Sequence, residues 1–241
     1  MANPRVLIFC PTYRLEPETV DAIFRQTYAG PVDVLFTRDN PHGHDKADHL
    51  HNYIKGRKAF LDGGHDYLWI VESDIIPPAD ALEKLLALNT DIASGAYIFR
   101  RGSPVLNVFR HIHGKVTPDE TIDRFPEIRR PNWGKPVRCS GAGIGCLLVS
   151  RRVVEKVPFR VDPEDCHCDW VYTHDLLLTR LDYYAHLGVL CGHKQPDGTI
   201  LWPTFDGMTT TKGLPSDWHM PAAYRVPDPI TTGPYGHLLK G

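Results

Sequence analysis

The chain has 241 residues, 42% of them hydrophobic and 23% charged, which is enough apolar material for one sizeable core and too much for wholesale disorder. A formal net charge of -2 excludes a bulk electrostatic grip on nucleic acid or on an anionic membrane. No apolar run approaches the ~20 residues needed to cross a bilayer, and no signal-peptide pattern precedes Val6-Leu7-Ile8-Phe9, so a cytoplasmic protein is expected.

Arg5 to Cys10 reads as a buried strand ended by Pro11. Glu16 to Tyr28 follows, with Val20, Ile23, Phe24 and Tyr28 at helical spacing. A second apolar strand, Val32 to Phe36, leads into the polar turn Thr37-Arg38-Asp39-Asn40-Pro41. The next helix spans about Lys46 to Leu61, and Gly63-Gly64 stops it. Tyr67 to Val71 is wholly apolar, as a parallel strand covered on both faces should be. Such β-α-β-α-β alternation predicts a doubly wound open sheet whose ligands lie beyond the carboxyl ends of the strands.

Beyond it, Ala79 to Leu88 reads as a helix, and Asp91 to Arg110 as two strands around the turn Arg101-Gly102-Ser103-Pro104. Residues 111–135 read as a charged, proline-rich excursion. The glycine-rich Ser140-Gly141-Ala142-Gly143-Ile144-Gly145 precedes an apolar strand, Cys146 to Val149. His174 to Leu187 has helical spacing, with Thr173 as its N-cap, and Val189-Leu190-Cys191 is a short closing strand. Residues 195–241 are rich in proline and glycine, which predicts an extended tail or lid. One domain over 1–194 is expected, with a nucleotide-binding half at 1–78 and an acceptor half at 79–194.

Chemistry centres on Glu72-Ser73-Asp74, at the end of the third strand. Two carboxylates there suit Mg²⁺ or Mn²⁺, which can bridge to a diphosphate. The same acidic residues would equally serve the start of the helix that follows. The tripeptide alone leaves both readings open.

In this setting residues 5–193 resemble the family 2-like glycosyltransferases of the GT-A fold. The resemblance implies a three-layer α/β/α fold with an open, mostly parallel sheet, a second small antiparallel region and an irregular C-terminal tail. It sets Pro11, Thr12 and Tyr13 against the nucleobase, Asp39 on a uracil, and Arg57 and Ser73 elsewhere in the donor site. Glu72-Ser73-Asp74 stands for the family's Asp-x-Asp metal motif, with glutamate in place of the first aspartate, and His193 completes the metal shell. Gly141, Ala142 and Gly143 match the glycine-rich segment of the acceptor side. His174-Asp175, Arg180 and Gly188 follow the order of the family's acidic pair, arginine and glycine. Asp175 is then the general base, held ionised by a helix N-terminus, while His174 and Trp170 border the acceptor.

The implied activity is transfer of a sugar from a nucleotide sugar, a UDP-sugar by the match at Asp39, to an acceptor hydroxyl. A glycan, a small molecule or a hydroxymethylated base in phage-type DNA could each be the acceptor. A nucleotidyltransferase would need a glycine-rich phosphate loop after the first strand, which Pro11-Thr12-Tyr13-Arg14-Leu15 lacks. A non-catalytic nucleotide-sugar binder would not need a base. A separate possibility is Zn²⁺ held by Cys166, Cys168, Cys191 and His193.

Overall fold

A computed structural model describes residues 3–12, 14–38, 40–43, 45–99, 105–112, 122–124, 129–161 and 167–214. The first half follows the expected alternation: β1 (Val6–Pro11), α1 (Pro17–Phe24), β2 (Val32–Thr37), α2 (Asp45–Gly63) and β3 (Tyr67–Val71). Short β4 (Ile75–Ile76) and α3 (Ala81–Leu86) lead to β5 (Ile92–Ala96), β6 (Val108–Ile112), β7 (Ile122–Arg124) and α4 (Arg129–Asn132). Then come β8 (Pro136–Cys139), β9 (Gly141–Ala142), β10 (Cys146–Ser150), α5 (Arg151–Lys156) and α6 (Cys168–Leu178). The last strands are β11 (Tyr183–Leu190), β12 (Gly192–Lys194), β13 (Thr199–Pro203) and β14 (Met208–Lys212).

The main sheet has seven strands in the order β2-β1-β3-β10-β5-β11-β8. Only β10 and β8 oppose the common direction, because each pairs antiparallel with its neighbours. Along β1 and β3 successive side chains alternate between the two faces. Val6, Ile8, Trp69 and Val71 pack with Ile23 of α1 and Leu82 of α3. Leu7, Phe9, Leu68 and Ile70 pack on the other face with Tyr53 of α2, Val153 of α5 and Tyr172 of α6. Two apolar faces covered by two helical layers give the expected α/β/α sandwich. Two smaller antiparallel sheets, β14-β13-β12-β4 and β7-β6-β9, stand beside it.

Two expectations are corrected. The helix read over His174 to Leu187 is two elements: α6 begins at Cys168 and ends at Leu178, and β11 begins at Tyr183. Thr173 is therefore in mid-helix and not a cap; its Oγ1 donates to Asp169 O at 3.0 Å and to Ala142 O at 3.2 Å. Arg180 breaks the run with φ 57°, a left-handed position that usually falls to glycine. The predicted closing strand at Val189-Leu190 is the end of β11.

Residues 199–212 form a hairpin, β13 with β14, pinned by Trp202 Nε1 donating to Thr211 Oγ1 at 2.9 Å. Through β12 this hairpin is hydrogen-bonded to β4, so the four-stranded sheet joins both sides of residue 194. Beyond residue 214 the predicted tail lies outside the described residues. No helix among the described residues is long and apolar enough to cross a membrane.

Candidate active site

β1, β2 and β3 are parallel and end at one edge of the sheet. Thr12 closes the end of β1 against β2: its N and Oγ1 both donate to Thr37 O, at 2.8 and 2.6 Å. Its hydroxyl is thus engaged with the backbone, and both it and Pro11 are buried. Tyr13 and Asp39, expected at the nucleobase, lie outside the described residues.

After β3 the chain turns through Glu72, Ser73 and Asp74 into β4. Glu72 N donates to Gly145 O and Ile75 N donates back to Glu72 O, both at 2.9 Å. The two carboxylates of the motif have different neighbours. Tyr53 Oη donates to Glu72 Oε1 at 2.8 Å, and His49 Nε2 lies 3.9 Å from the same oxygen. Asp74 Oδ2 instead lies 3.8 Å from His193 Nε2. His193 Nδ1 is 2.6 Å from Ile98 O, an acceptor only, so Nδ1 carries a hydrogen and Nε2 is the nitrogen turned toward Asp74.

A carboxylate and an imidazole held this way can serve as two ligands of a divalent cation. Among the described residues no group of three or more His, Cys, Asp and Glu side chains could hold a metal ion. Two protein ligands alone would leave the other positions of a Mg²⁺ or Mn²⁺ ion to water or to phosphate oxygens.

The glycine-rich segment fits this turn by contact. A Cβ on Gly145 would stand 2.9 Å from Glu72 Oε2 and 3.1 Å from Tyr97 Oη, closer than side chains tolerate. Gly143 is also pressed against the Tyr97 hydroxyl, and the carbonyl of Ala142 accepts from Tyr183 Oη at 3.3 Å. Gly141 pairs with Phe109 of β6. Gly143 and Gly145 thus let the acidic turn pack closely.

The start of α6 faces the same place. Burial, and then the charge of Glu72, push the Tyr53 and Tyr97 hydroxyls well above the ordinary tyrosine value, and Asp169 adds to both shifts. Burial, then Asp169 and Glu72, likewise raise the Cys168 thiol. Cys168 Sγ lies 4.0 Å from His49 Nδ1, and His49 Nε2 lies 3.9 Å from Glu72 Oε1, so one histidine separates the first turn of α6 from the acidic turn. Asp169 stands in the first turn of α6, and its Oδ1 is buried without a hydrogen-bond partner. Neither residue composition nor spacing singled it out, because Asp165-Cys166-His167-Cys168-Asp169 reads first as a thiol-rich metal motif.

Asp175 sits elsewhere than expected. It is two turns into α6, 13% exposed, and takes both Nε and Nη2 of Arg160 at 2.8 and 2.7 Å. His174 Nδ1 is buried without a hydrogen bond, 3.9 Å from Asp175 Oδ1. Arg57, one turn beyond Tyr53 on α2, donates to Val154 O and Glu155 O at 2.9 and 3.1 Å, at the end of α5. Zinc shared by Cys168 and Cys191 is likewise not formed, since these thiols belong to the cores on opposite faces of the sheet; Cys166 lies outside the described residues.

One ion cluster ties the edge together. Lys194 N donates to Asp74 O at 2.8 Å, while its Nζ contacts Glu16 at 2.8 Å and Glu18 at 2.6 Å. Burial alone would raise the Glu16 carboxyl, but Lys194 and Arg14 reverse this and hold it below its ordinary value. Lys194 and Glu16 are only 12% and 9% exposed at their side chains, so this is a largely desolvated pair. Lys194→Met should lower the stability measured by urea unfolding by about 2 kcal/mol, since it leaves Glu16 with Arg14 alone and takes the lysine from Glu18. Glu16's share of stability is full above its unfolded value, near pH ~4.3, and is lost as the pH falls through the lowered folded value.

No family model matches the chain, and no curated protein sequence does. Among solved structures the chain resembles A197 from STIV, with TM-score 0.55 and 17% identity over 87% of this chain and 95% of that one. It also aligns with a glycosyltransferase involved in the glycosylation of the major capsid of PBCV-1 (TM-score 0.42, 11% identity, 76% and 82% of the two chains). A third alignment is with S. aureus TarS (TM-score 0.42, 15% identity), over 76% of this chain and 36% of that one. The likeness to A197 extends over nearly the whole of that protein and concerns the fold.

Proposed function

We propose that this chain is a divalent-metal-dependent glycosyltransferase that moves a sugar from a nucleotide sugar, in our reading a UDP-sugar, to an acceptor hydroxyl with inversion. The observation that carries this is the approach at one sheet edge of Asp74 to His193, with a carboxylate that has an unbonded oxygen at Asp169, next to the Cys168 that His49 links to Glu72. Its setting in an α/β/α fold and the resemblance of residues 5–193 to GT-A enzymes support the same class.

Asp74 and His193 would hold Mn²⁺ or Mg²⁺, which when bound offsets the negative charge that grows on a departing diphosphate. The chain's own work is the proton and the geometry. Asp169 accepts the proton of the acceptor hydroxyl as its oxygen bonds to the anomeric carbon. The bond from that carbon to the diphosphate breaks on the opposite side, and its electron pair leaves with the nucleoside diphosphate. Asp169 is preferred to Asp175 because both oxygens of Asp175 are engaged by Arg160. Glu72, engaged by Tyr53, orients the turn that carries Asp74.

The test is a panel of UDP-, GDP- and TDP-sugars, each with Mn²⁺ and with EDTA, read by calorimetry and by release of the nucleoside diphosphate. Binding of one donor only with metal, and its slow hydrolysis without acceptor, is the expected result. If no donor binds in the presence of Mn²⁺ or Mg²⁺, the proposal is wrong.

A further inference from the structure

Little backbone pairing brings His193 to Asp74. β4 has two residues, and β12 meets it in two register pairs, Gly192 with Ile76 and His193 with Ile75. Lys194 N then closes the turn by donating to Asp74 O at 2.8 Å. Successive side chains of a strand point to opposite faces. His193 accordingly turns to Ile98 O and Asp74, and Lys194 turns the other way, to the start of α1. There its Nζ is 2.8 Å from Glu16 Oε2 and 2.6 Å from Glu18 Oε2, the latter 176 positions away in sequence. Glu16 is the N-cap residue of α1, and Glu18 lies in its first turn. Arg14 holds the other oxygen of Glu16. One lysine side chain thus joins the strand of His193 to the segment that leaves β1.

We infer that Lys194 is a positioning residue for sugar transfer, holding the Asp74–His193 pair in fixed register with the segment between β1 and α1. The inference rests on the glycosyltransferase reading. In that reading one donor spans both parts, with its base at Pro11 and Thr12 and its diphosphate at Asp74 and His193. β1 and β12 belong to different sheets, so no strand pairing between them fixes that spacing. A largely buried ammonium shared by two carboxylates can fix it, because moving the ammonium leaves a desolvated charge unpaired. The register matters to the reaction, since misplacing a reacting group by about 1 Å can lower a rate about a hundredfold.

Full-length wild type, Lys194→Met, Lys194→Arg and Val153→Ala would be compared at a temperature where each is folded by circular dichroism. Mn²⁺ affinity would be read by paramagnetic resonance with UDP present, and kcat by release of UDP from the UDP-sugar that the wild type accepts. Val153 is buried in α5, whose first residue is bonded to Asp66 ahead of β3, at the opposite edge of the sheet. Its alanine variant loses stability through a cavity and leaves the site alone. Lys194→Met should weaken Mn²⁺ binding and lower kcat, each by about 10- to 100-fold, the usual effect of removing a group that orients metal ligands. Lys194→Arg keeps a cation between the two glutamates and should regain most of both. Val153→Ala should stay within about twofold of wild type in both, as a distant and independent site does.

Mn²⁺ affinity and kcat within about twofold of wild type in Lys194→Met would overturn the inference and leave the lysine as a brace for stability alone. Equal losses in Val153→Ala, or no recovery in Lys194→Arg, would overturn it too. If Lys194→Met does not fold, Glu18→Gln decides in its place. That variant leaves the lysine on Glu16, and an unchanged Mn²⁺ affinity there would sink the idea, whereas a partial loss is expected. None of these results touches the enzyme class, which only a lack of metal-dependent donor binding in the wild type would remove.

Discussion

Asp74→Ala should lose metal-dependent turnover by about a thousandfold or more, the several kcal/mol of charge stabilisation that a cation supplies at a leaving diphosphate. The backbone of Asp74 is fastened by Lys194 N, and His193 Nε2 stands opposite its carboxylate, so removing the side chain deletes the proposed ligand without dismantling the turn. The thermal midpoint should therefore stay close to the wild type. Metal affinity, read by Mn²⁺ paramagnetic resonance in the presence of nucleoside diphosphate, should fall with the activity. Glu72→Gln provides the contrast. A glutamine oxygen can still accept from Tyr53 Oη, so metal affinity should change little. Metal-dependent turnover within tenfold of wild type in Asp74→Ala would take the metal away from this residue. Equal losses of metal affinity in both variants would restore Glu72 as a ligand.

The sheet edge that carries this pair was legible from the residues alone, and the reason is local. β1, β2 and β3 are apolar runs bounded by Pro11, by the polar turn after Thr37 and by the first acidic residue, and the helices between them have clear 3.6-residue spacing. Parallel strands buried on both faces leave that signature. The same property hid β11. Tyr183 to Leu190 is buried almost throughout, and a continuous apolar run has no period to separate strand from helix. With Arg180 in place of a glycine at the left-handed turn, the usual stop signal was missing too. The hairpin of β13 and β14 was concealed by Met208-Thr209-Thr210-Thr211-Lys212, a polar strand that faces solvent for most of its length.

Site residues divide along the same line. Asp74 and His193 were singled out by a strand end and by motif order, and the fold brings their side chains to 3.8 Å. The contact of Arg57 with the end of α5 was not readable, because the carbonyls it caps lie about a hundred residues away in sequence. Tyr53, His49 and Tyr97 gave no signal, being aromatic and polar residues at ordinary core spacing. What makes them part of the site is the tertiary approach of α2 and of the glycine-rich segment to Glu72.

The proposed choice of base follows from the corrected boundary of α6. With the helix starting at Cys168, its N-terminal positive end favours a carboxylate in the first turn, and Asp169 is there. Asp175 is beyond that influence and already neutralised by Arg160. Asp169→Asn should consequently reduce transfer by about 10²–10⁴-fold, the usual worth of a positioned base. Donor affinity should persist, because the amide keeps the shape of the carboxylate and the proposed metal ligands are untouched. Asp175→Asn should keep transfer within a fewfold of wild type and show its effect in the melting temperature, since it loosens the Arg160 pair that holds α6 to the segment after α5. The two variants are to be compared by initial rates at saturating donor and by thermal melts of the same preparations. A large loss of transfer in Asp175→Asn, with Asp169→Asn near wild type, would return the role to Asp175 and would require Arg160 to release it during turnover.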